Sequence, residues 1–307
     1  MNFAVNNHVP ELLKEITSVL EAAIRSASNL TQYALIDTAF EPTLVSKYKK
    51  RVPDTQVCEL YAGTGMDQLK EISPCLISLP RDNALRTKAI KTLLSYADGK
   101  PMLSFFMSEL AAAPLAMHLQ SILDVETSDG QHLVLRFADT RVLPVLIEVL
   151  DQPQRRSILA PILSWWLISR AGRLENLDLK NDEIPDSLCS ISSQSFSSLL
   201  LSDDQFTFML DAAEPDAMIE QLWKIVPEHC HCFSGATLHE FVARQLSLAK
   251  AFSVEGFTDR IAYCVGALNT QGNLHAIGPA RELLETKSWQ PGGLADALAE
   301  LPETCWI

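Results

Sequence analysis

Apolar positions change their spacing several times along the chain, and each change marks an element. From Pro10 to Ala27 they recur at helical spacing, with Leu12, Leu13, Ile16, Val19, Leu20 and Ala23 on one side. Tyr33 to Asp37 is a short strand-like run, and a helix is expected over Phe40–Tyr48. Val57–Tyr61 reads as a strand closed by Gly63 and Gly65, and Cys75–Leu79 as a strand between Pro74 and Pro80. Asp82 is placed to cap a helix that runs to Tyr96. Met102–Phe106 is another strand, after the turn Asp98-Gly99-Lys100-Pro101. Ser108 and Glu109 open a helix to Leu123, in which Pro114 kinks the axis or moves the start. Asp129-Gly130 is a turn, His132–Phe137 a strand and Arg141–Leu150 a helix. Strands separated by helical stretches predict an α/β lobe, a mixed sheet flanked by helices.

Beyond this point no comparable strand pattern follows. Ser202-Asp203-Asp204-Gln205 begins a helix with a capping serine and an acidic first turn, which suits the helix dipole. Leu238–Phe252 is helical, Thr258-Asp259 caps a helix through Leu268, and Pro279–Thr286 forms another. These predict a smaller all-α lobe after the α/β one.

Of the 307 residues, 47% are apolar and 21% charged, which supports a true core without disulfide staples and excludes a disordered chain. The net charge of −13 makes nucleic acid an unexpected partner. Residues 1–180 carry 19 basic and 20 acidic side chains, whereas residues 181–307 carry 6 and 18. Together with the serine- and acid-rich stretch from Asn176 to Ser198, this divides the chain into an α/β domain over 1–180, a polar linker over 181–198 and an acidic helical lobe over 199–307. The first eight residues lack a basic and apolar leader pattern. The longest apolar stretch, Ile158–Ile168, is shorter than the roughly 20 residues of a spanning helix. A soluble cytoplasmic protein with no membrane partner is expected. The odd number of cysteines, seven, fits reduced thiols.

Candidate chemistry is sparse. His229-Cys230-His231-Cys232 has zinc-binding atoms but not the spacing of a zinc site, and no second pair follows it. An enzyme built on these cysteines and histidines is the alternative this segment leaves open. His239-Glu240 lacks the second histidine of a zincin, because position 243 is Ala. Gly63-Thr64-Gly65 lacks the remaining features of a nucleotide loop. The basic run Lys47, Lys49, Lys50 and Arg51 reads as a solvated helix end or a docking patch, and Trp165-Trp166 as core. No catalytic, cofactor or metal site is expected. One segment differs: the apolar run Leu133–Leu135 passes through Arg136, Phe137, Ala138, Asp139, Thr140 and Arg141 into an apolar helix. Asp139 is placed to cap that helix or to pair with either arginine, making a structural corner or a polar contact for a partner.

That segment resembles the Leu-Arg-Phe-x-Asp-Pro-Arg signature of the type VI secretion effector adaptor family, also called effector chaperones. Other pieces are similar to the family's in the same order: Tyr33–Ala39, Ile72–Leu79, Leu119–Gly130, Ile158–Trp166 and, farther on, Ala249–Asp259. The likeness covers about residues 33–173 closely and 200–280 loosely. Thr140 stands where the family usually has Pro, and Ser73 and Ala160 where Gly is common. The resemblance implies a non-enzymatic cytoplasmic adaptor without cofactors. Its expected partners are a cognate effector toxin and the VgrG spike or its PAAR tip. A toxin-binding immunity or scaffold protein is the other binding alternative. Asp37, in the first of these pieces, joins Arg136, Asp139 and Arg141 as candidate structural or partner-contact residues.

Overall fold

The computed structural model describes residues 3–26, 30–177, 179 and 198–306. Nearly all of the expected 181–198 linker lies outside the described residues; only Ser198 is within them. The chain forms two compact units, Asn7–Leu210 and a second that joins Met1–Asn6 to Asp211–Ile307. The division falls inside one long helix. Five of the acidic residues downstream of position 180 precede position 211, so the charge divides almost evenly, −6 in the first unit and −7 in the second.

The first unit contains helices α1 (Leu12–Ser26), α2 (Leu44–Arg51), α3 (Asn83–Ala97), α4 (Ala112–Gln120), α5 (Val142–Val149) and α6 (Gln152–Leu159). Its strands are β1 (Thr31–Asp37), β2 (Val57–Glu59), β3 (Pro74–Ser78), β4 (Leu103–Ser108), β5 (Asp124–Thr127), β6 (His132–Val134), β7 (Ser164–Ile168), β8 (Leu174–Asn176) and β9 (Leu199–Leu201). One sheet has the order β2-β3-β1-β4-β7-β8, every pairing antiparallel. Parallel pairing is confined to a small mixed sheet, β6-β5-β9, between β5 and β9. The expected α/β lobe is therefore present, followed by a helical region.

Both faces of the large sheet are covered, and the period of two in its strands explains how. Tyr33 and Leu35 of β1, Leu76 of β3, Phe106 of β4 and Trp165 of β7 point to one side, where α4, α5 and α6 pack with Leu115, Leu119, Leu146 and Ile158. Their neighbours Ala34, Ile36, Ile77 and Phe105 point to the other, against Leu12, Ile16 and Leu20 of α1, Tyr48 of α2 and Ile90 and Leu93 of α3. A strand buried on both faces reads as a continuous apolar run, which is how Tyr33–Ile36 appears in the sequence. Trp165 is core, its ring tilted against that of Phe106 at 5.2 Å and its Nε1 donating to Ser104 Oγ at 3.0 Å, while Trp166 faces the opposite layer.

Several expected boundaries move for local reasons. Asp82 does cap α3, accepting from Leu85 N at 2.8 Å. α4 starts at Ala112 rather than Ser108, so that Pro114 falls in the first turn, where a missing N–H has no helical partner to lose. Ser108 stays in β4, its hydroxyl accepting from Leu110 N at 3.0 Å. The Phe40–Tyr48 helix is displaced: a 3-10 turn at Thr38–Phe40 comes first and α2 begins at Leu44. β6 ends at Val134, short of the expected Phe137, because the chain turns at Arg136.

The long helix α7 (Asp203–Ile225) opens with a reciprocal cap, Ser202 Oγ accepting from Gln205 N and Gln205 Oε1 accepting from Ser202 N at 3.0 Å. The second unit adds α8 (Pro227–Cys230), α9 (Gly235–Ala251), α10 (Phe257–Asn269), α11 (Gly278–Thr286) and α12 (Leu294–Ala299). Its packing centres on Met218, Leu222, Val242 and Cys264, and on Tyr263, Leu274, Leu284 and Leu298. Asp259 does not cap α10, whose cap is Gly256. It is buried instead, and its carboxylate accepts from Trp289 Nε1 (3.2 Å), Gly292 N (2.8 Å) and Leu294 N (3.0 Å). That one side chain ties the segment before α12 to α10. No helix among the described residues is long and apolar enough to cross a membrane.

Candidate functional site

Asp37, Arg136, Asp139 and Arg141 meet at one corner of the α/β unit. The corner is assembled on the two residues that lead into β4. Asp37 N donates to Met102 O at 2.9 Å, and Thr140 N donates to Pro101 O at 3.0 Å. Adjacent carbonyls thus hold the end of β1 and the start of α5 side by side. The second bond uses an N–H that a proline at position 140 would lack, so Thr140 contributes a tie of its own here.

Each side chain then has a defined job. Asp37 Oδ1 accepts from Ala39 N at 3.0 Å and starts the turn at Thr38–Phe40. Its Oδ2 accepts from Arg136 Nε at 3.2 Å and Nη2 at 2.8 Å. Asp139 accepts from Arg141 N (2.9 Å), Nε (3.0 Å) and Nη2 (2.7 Å). Asp139 is therefore not the cap residue of α5, which is Arg141. Its carboxylate acts on the cap residue two positions on, and its carbonyl accepts from Val142 N and Leu143 N. Phe40 lies under both cations, 5.0 Å from the Arg136 guanidinium and 5.6 Å from that of Arg141.

Burial is unequal across the pair. The Asp37 side chain is 1% exposed and that of Arg136 is 42% exposed. Burial pushes the Asp37 carboxyl above the ordinary carboxylate value; Arg136 and the Ala39 N–H oppose the rise, and the nearby Asp139 adds to it. Burial also raises the Tyr61 hydroxyl, with Asp37 adding to the rise. Two carboxylates and two guanidinium groups balance in charge, so the corner is a fixed polar joint. Because Arg136 uses its Nε–Nη2 edge on Asp37, its third nitrogen is directed away from that carboxylate on an exposed, pre-oriented plane. Such a plane suits a carbonyl or carboxylate of a partner. Phe40 is the member that sequence reasoning missed; its two arginines lie about 100 residues on, and only the fold brings them over its ring.

The other candidates are dispersed. Cys230 is buried at the end of α8, and its thiol is pushed up to about 11 by burial and Glu228. Cys232 is exposed, His229 Nδ1 lies 3.3 Å from Glu228, and His231 packs edge-on to Trp223. The segment is a helical turn rather than an alternating run. Among the described residues, no three His, Cys, Asp or Glu side chains converge as a metal-holding group. Gly63 and Gly65 form a left-handed turn whose Gly63 N–H is already taken by Asp67 Oδ1 at 2.9 Å. His239 and Glu240 do lie on a helix, α9. Lys49, Lys50 and Arg51 occupy the last turn of α2.

No curated protein and no solved structure matches the chain. Residues 32–157, which contain every side chain of the corner, match the family described as a domain of unknown function, DUF4123.

Proposed function

We propose that the chain is a non-enzymatic adaptor of type VI secretion, which holds a cognate effector in the cytoplasm of the producing cell and promotes its loading onto the VgrG spike or PAAR tip. One observation carries this reading. Two of the pieces of sequence that resemble the adaptor family, Tyr33–Ala39 and Leu133–Leu143, converge on a single corner through the Asp37–Arg136 pair. The family match over residues 32–157 supports it by enclosing both pieces. The exposed side of Arg136 is the partner-contact candidate of the site.

The test is an affinity capture of the tagged protein from cells that express the secretion machinery, followed by mass spectrometry. Recovery of a toxin-like protein together with VgrG or a PAAR protein is the expected result. Arg136→Lys keeps a cation on Asp37 but removes the guanidinium plane, and should reduce that recovery without lowering the unfolding temperature. A prey set without secretion components overturns the reading. Inhibition of the purified toxin by this chain, without loading, moves it to an immunity role.

A further inference from the structure

The first unit carries a net charge of −6, yet one of its faces is positive. Lys49, Lys50 and Arg51 end α2, Lys88 and Lys91 lie on α3, and all five are exposed. On α2 only Lys47 is ion-paired, to Glu41 at 3.2 Å; among the described residues the other five have no carboxylate at ion-pair distance. The negative end of the α2 dipole accounts for the cations of its last turn. It offers nothing to Lys88, which sits in the second turn of α3, toward that helix's positive end. Arg51 is held over the Tyr96 ring at 5.5 Å, which orders it against α3.

Between these cations lies a hollow of about 470 Å³. Arg51 and Lys88 stand on its walls; Val52, Leu79 and Pro80 supply apolar lining, and Leu85, 51% exposed, forms the rim. Asp54 is the one carboxylate on the lining. A volume of this size holds one or two side chains. Apolar lining between unpaired cations matches a ligand that is both acidic and apolar. No aromatic ring lines the hollow, and the nearby Tyr96 ring already carries Lys47 and Arg51. It therefore offers no stacking platform for bases, and the chain's overall charge opposes a long polyanion.

We infer that this hollow docks an acidic peptide segment of a partner protein, with a large apolar side chain seated on Leu79 and Leu85 and flanking carboxylates on Arg51 and Lys88. The docking chemistry is independent of the adaptor role and of the Arg136 corner.

The experiment is a random-peptide display selection against the full-length protein, followed by fluorescence anisotropy of the enriched peptides after synthesis, with poly(U) RNA titrated in parallel. Enriched peptides should combine Asp or Glu with Leu, Ile or Met. Their binding should weaken at least about tenfold in the Arg51→Glu/Lys88→Glu variant and in Leu85→Asp, about 1.4 kcal/mol or more. It should change less than about twofold in the remote Lys14→Glu variant, and it should weaken as salt rises. All these positions are exposed, and matched thermal unfolding establishes that the variants fold; Lys88→Ala gives the readout if the double variant does not. Failure to enrich, enrichment of neutral or basic peptides, or equal binding to Leu85→Asp overturns the inference. Poly(U) binding tighter than the peptides makes the face a nucleic-acid site instead.

Discussion

Asp37 and Arg136 are 99 residues apart in the chain, yet Arg136 Nη2 donates to Asp37 Oδ2 at 2.8 Å, and only the carboxylate of the pair is buried. The loss of either partner is therefore unequal. Arg136→Ala leaves a buried carboxylate without its cation, and should lower the unfolding free energy by about 1–3 kcal/mol. Asp37→Asn in the same background removes the stranded charge and should restore part of that loss. A urea-unfolding double-mutant cycle measures the coupling. Additive effects of the two changes would show that the pair is not coupled.

Acid should act on two carboxylates in opposite directions. Glu41 is held by Thr43, Lys100 and Lys47, which lower it from 4.5 to about 2. Its contribution is present above pH 4.5 and is lost as pH falls toward 2. Asp37 is shifted upward by burial, so its folded form holds a proton to higher pH than the unfolded chain does. That contribution is full below the ordinary carboxylate value and declines as pH rises through the raised one. Glu41→Gln should flatten the acid loss of stability, and Asp37→Asn should steepen it. Urea midpoints measured from pH 6 down to the acid transition, an experimental range of about four units, distinguish the two slopes.

In the helical unit, Asp259→Ala should leave three donors without their acceptor. A loss of about 2–4 kcal/mol is expected, because the bonds are charge-assisted and one side chain serves all three. Hydrogen exchange at Gly292 and Leu294 should accelerate before exchange in α10 does. Unchanged protection at those two amides would remove Asp259 as the anchor.

Gly172 occupies the left-handed region, with φ of +71°, in the turn joining β7 to β8. A Cβ there would fall on the Asn7 carbonyl. Gly172→Ala should therefore destabilise the chain by more than about 1 kcal/mol, through both backbone strain and displacement of the segment before α1. Gly130→Ala has a similar φ of +78° but open space around it, and should show the smaller loss. Thermal unfolding of the two variants separates the contributions.

Thiol reactivity should divide sharply. Cys75 and Cys264 are pushed up to about 12 and Cys230 to about 11, in each case mainly by burial. Cys232 is exposed. In the native protein, iodoacetamide should label Cys232 rapidly and those three only after unfolding, as read by peptide mass spectrometry. Early labelling of Cys230 would contradict its burial.

Much of the fold was legible wherever an element was long and its period clear. β1, α1, α3 and α9 follow directly from apolar spacing and caps, and Asp82 was placed correctly from its type alone. β8 and β9 were not visible, whereas the equally short β2 and β6 were read only as parts of longer strand-like runs. β7 was read only as apolar core around Trp165-Trp166, within the longest apolar stretch, Ile158–Ile168. At the corner, all four candidates were named and Asp139 was offered either arginine, of which it meets Arg141, but the Asp37–Arg136 pair was not visible. Which carboxylate Arg136 meets depends on Pro101 and Met102, a third segment that no local pattern links to either. Asp259 was misjudged for a related reason: a capping aspartate and a buried anchor look alike in sequence, and only the fold decides which N–H groups face it.

The strand order of the large sheet has a consequence for the growing chain. β3 joins β1 on one side and β4 on the other, β7 then adds to β4, and β8 adds to β7. Each of these strands meets an edge that is already waiting, so none has to be threaded between two partners that have closed. The interval from Ser108 to Ser164 is the vulnerable one, since β4 then presents an unpaired edge with Phe105 and Phe106 behind it. Synthesis that stalls in that interval leaves an adhesive half-sheet, and the arrival of Trp165 and Trp166 is the event that seals it.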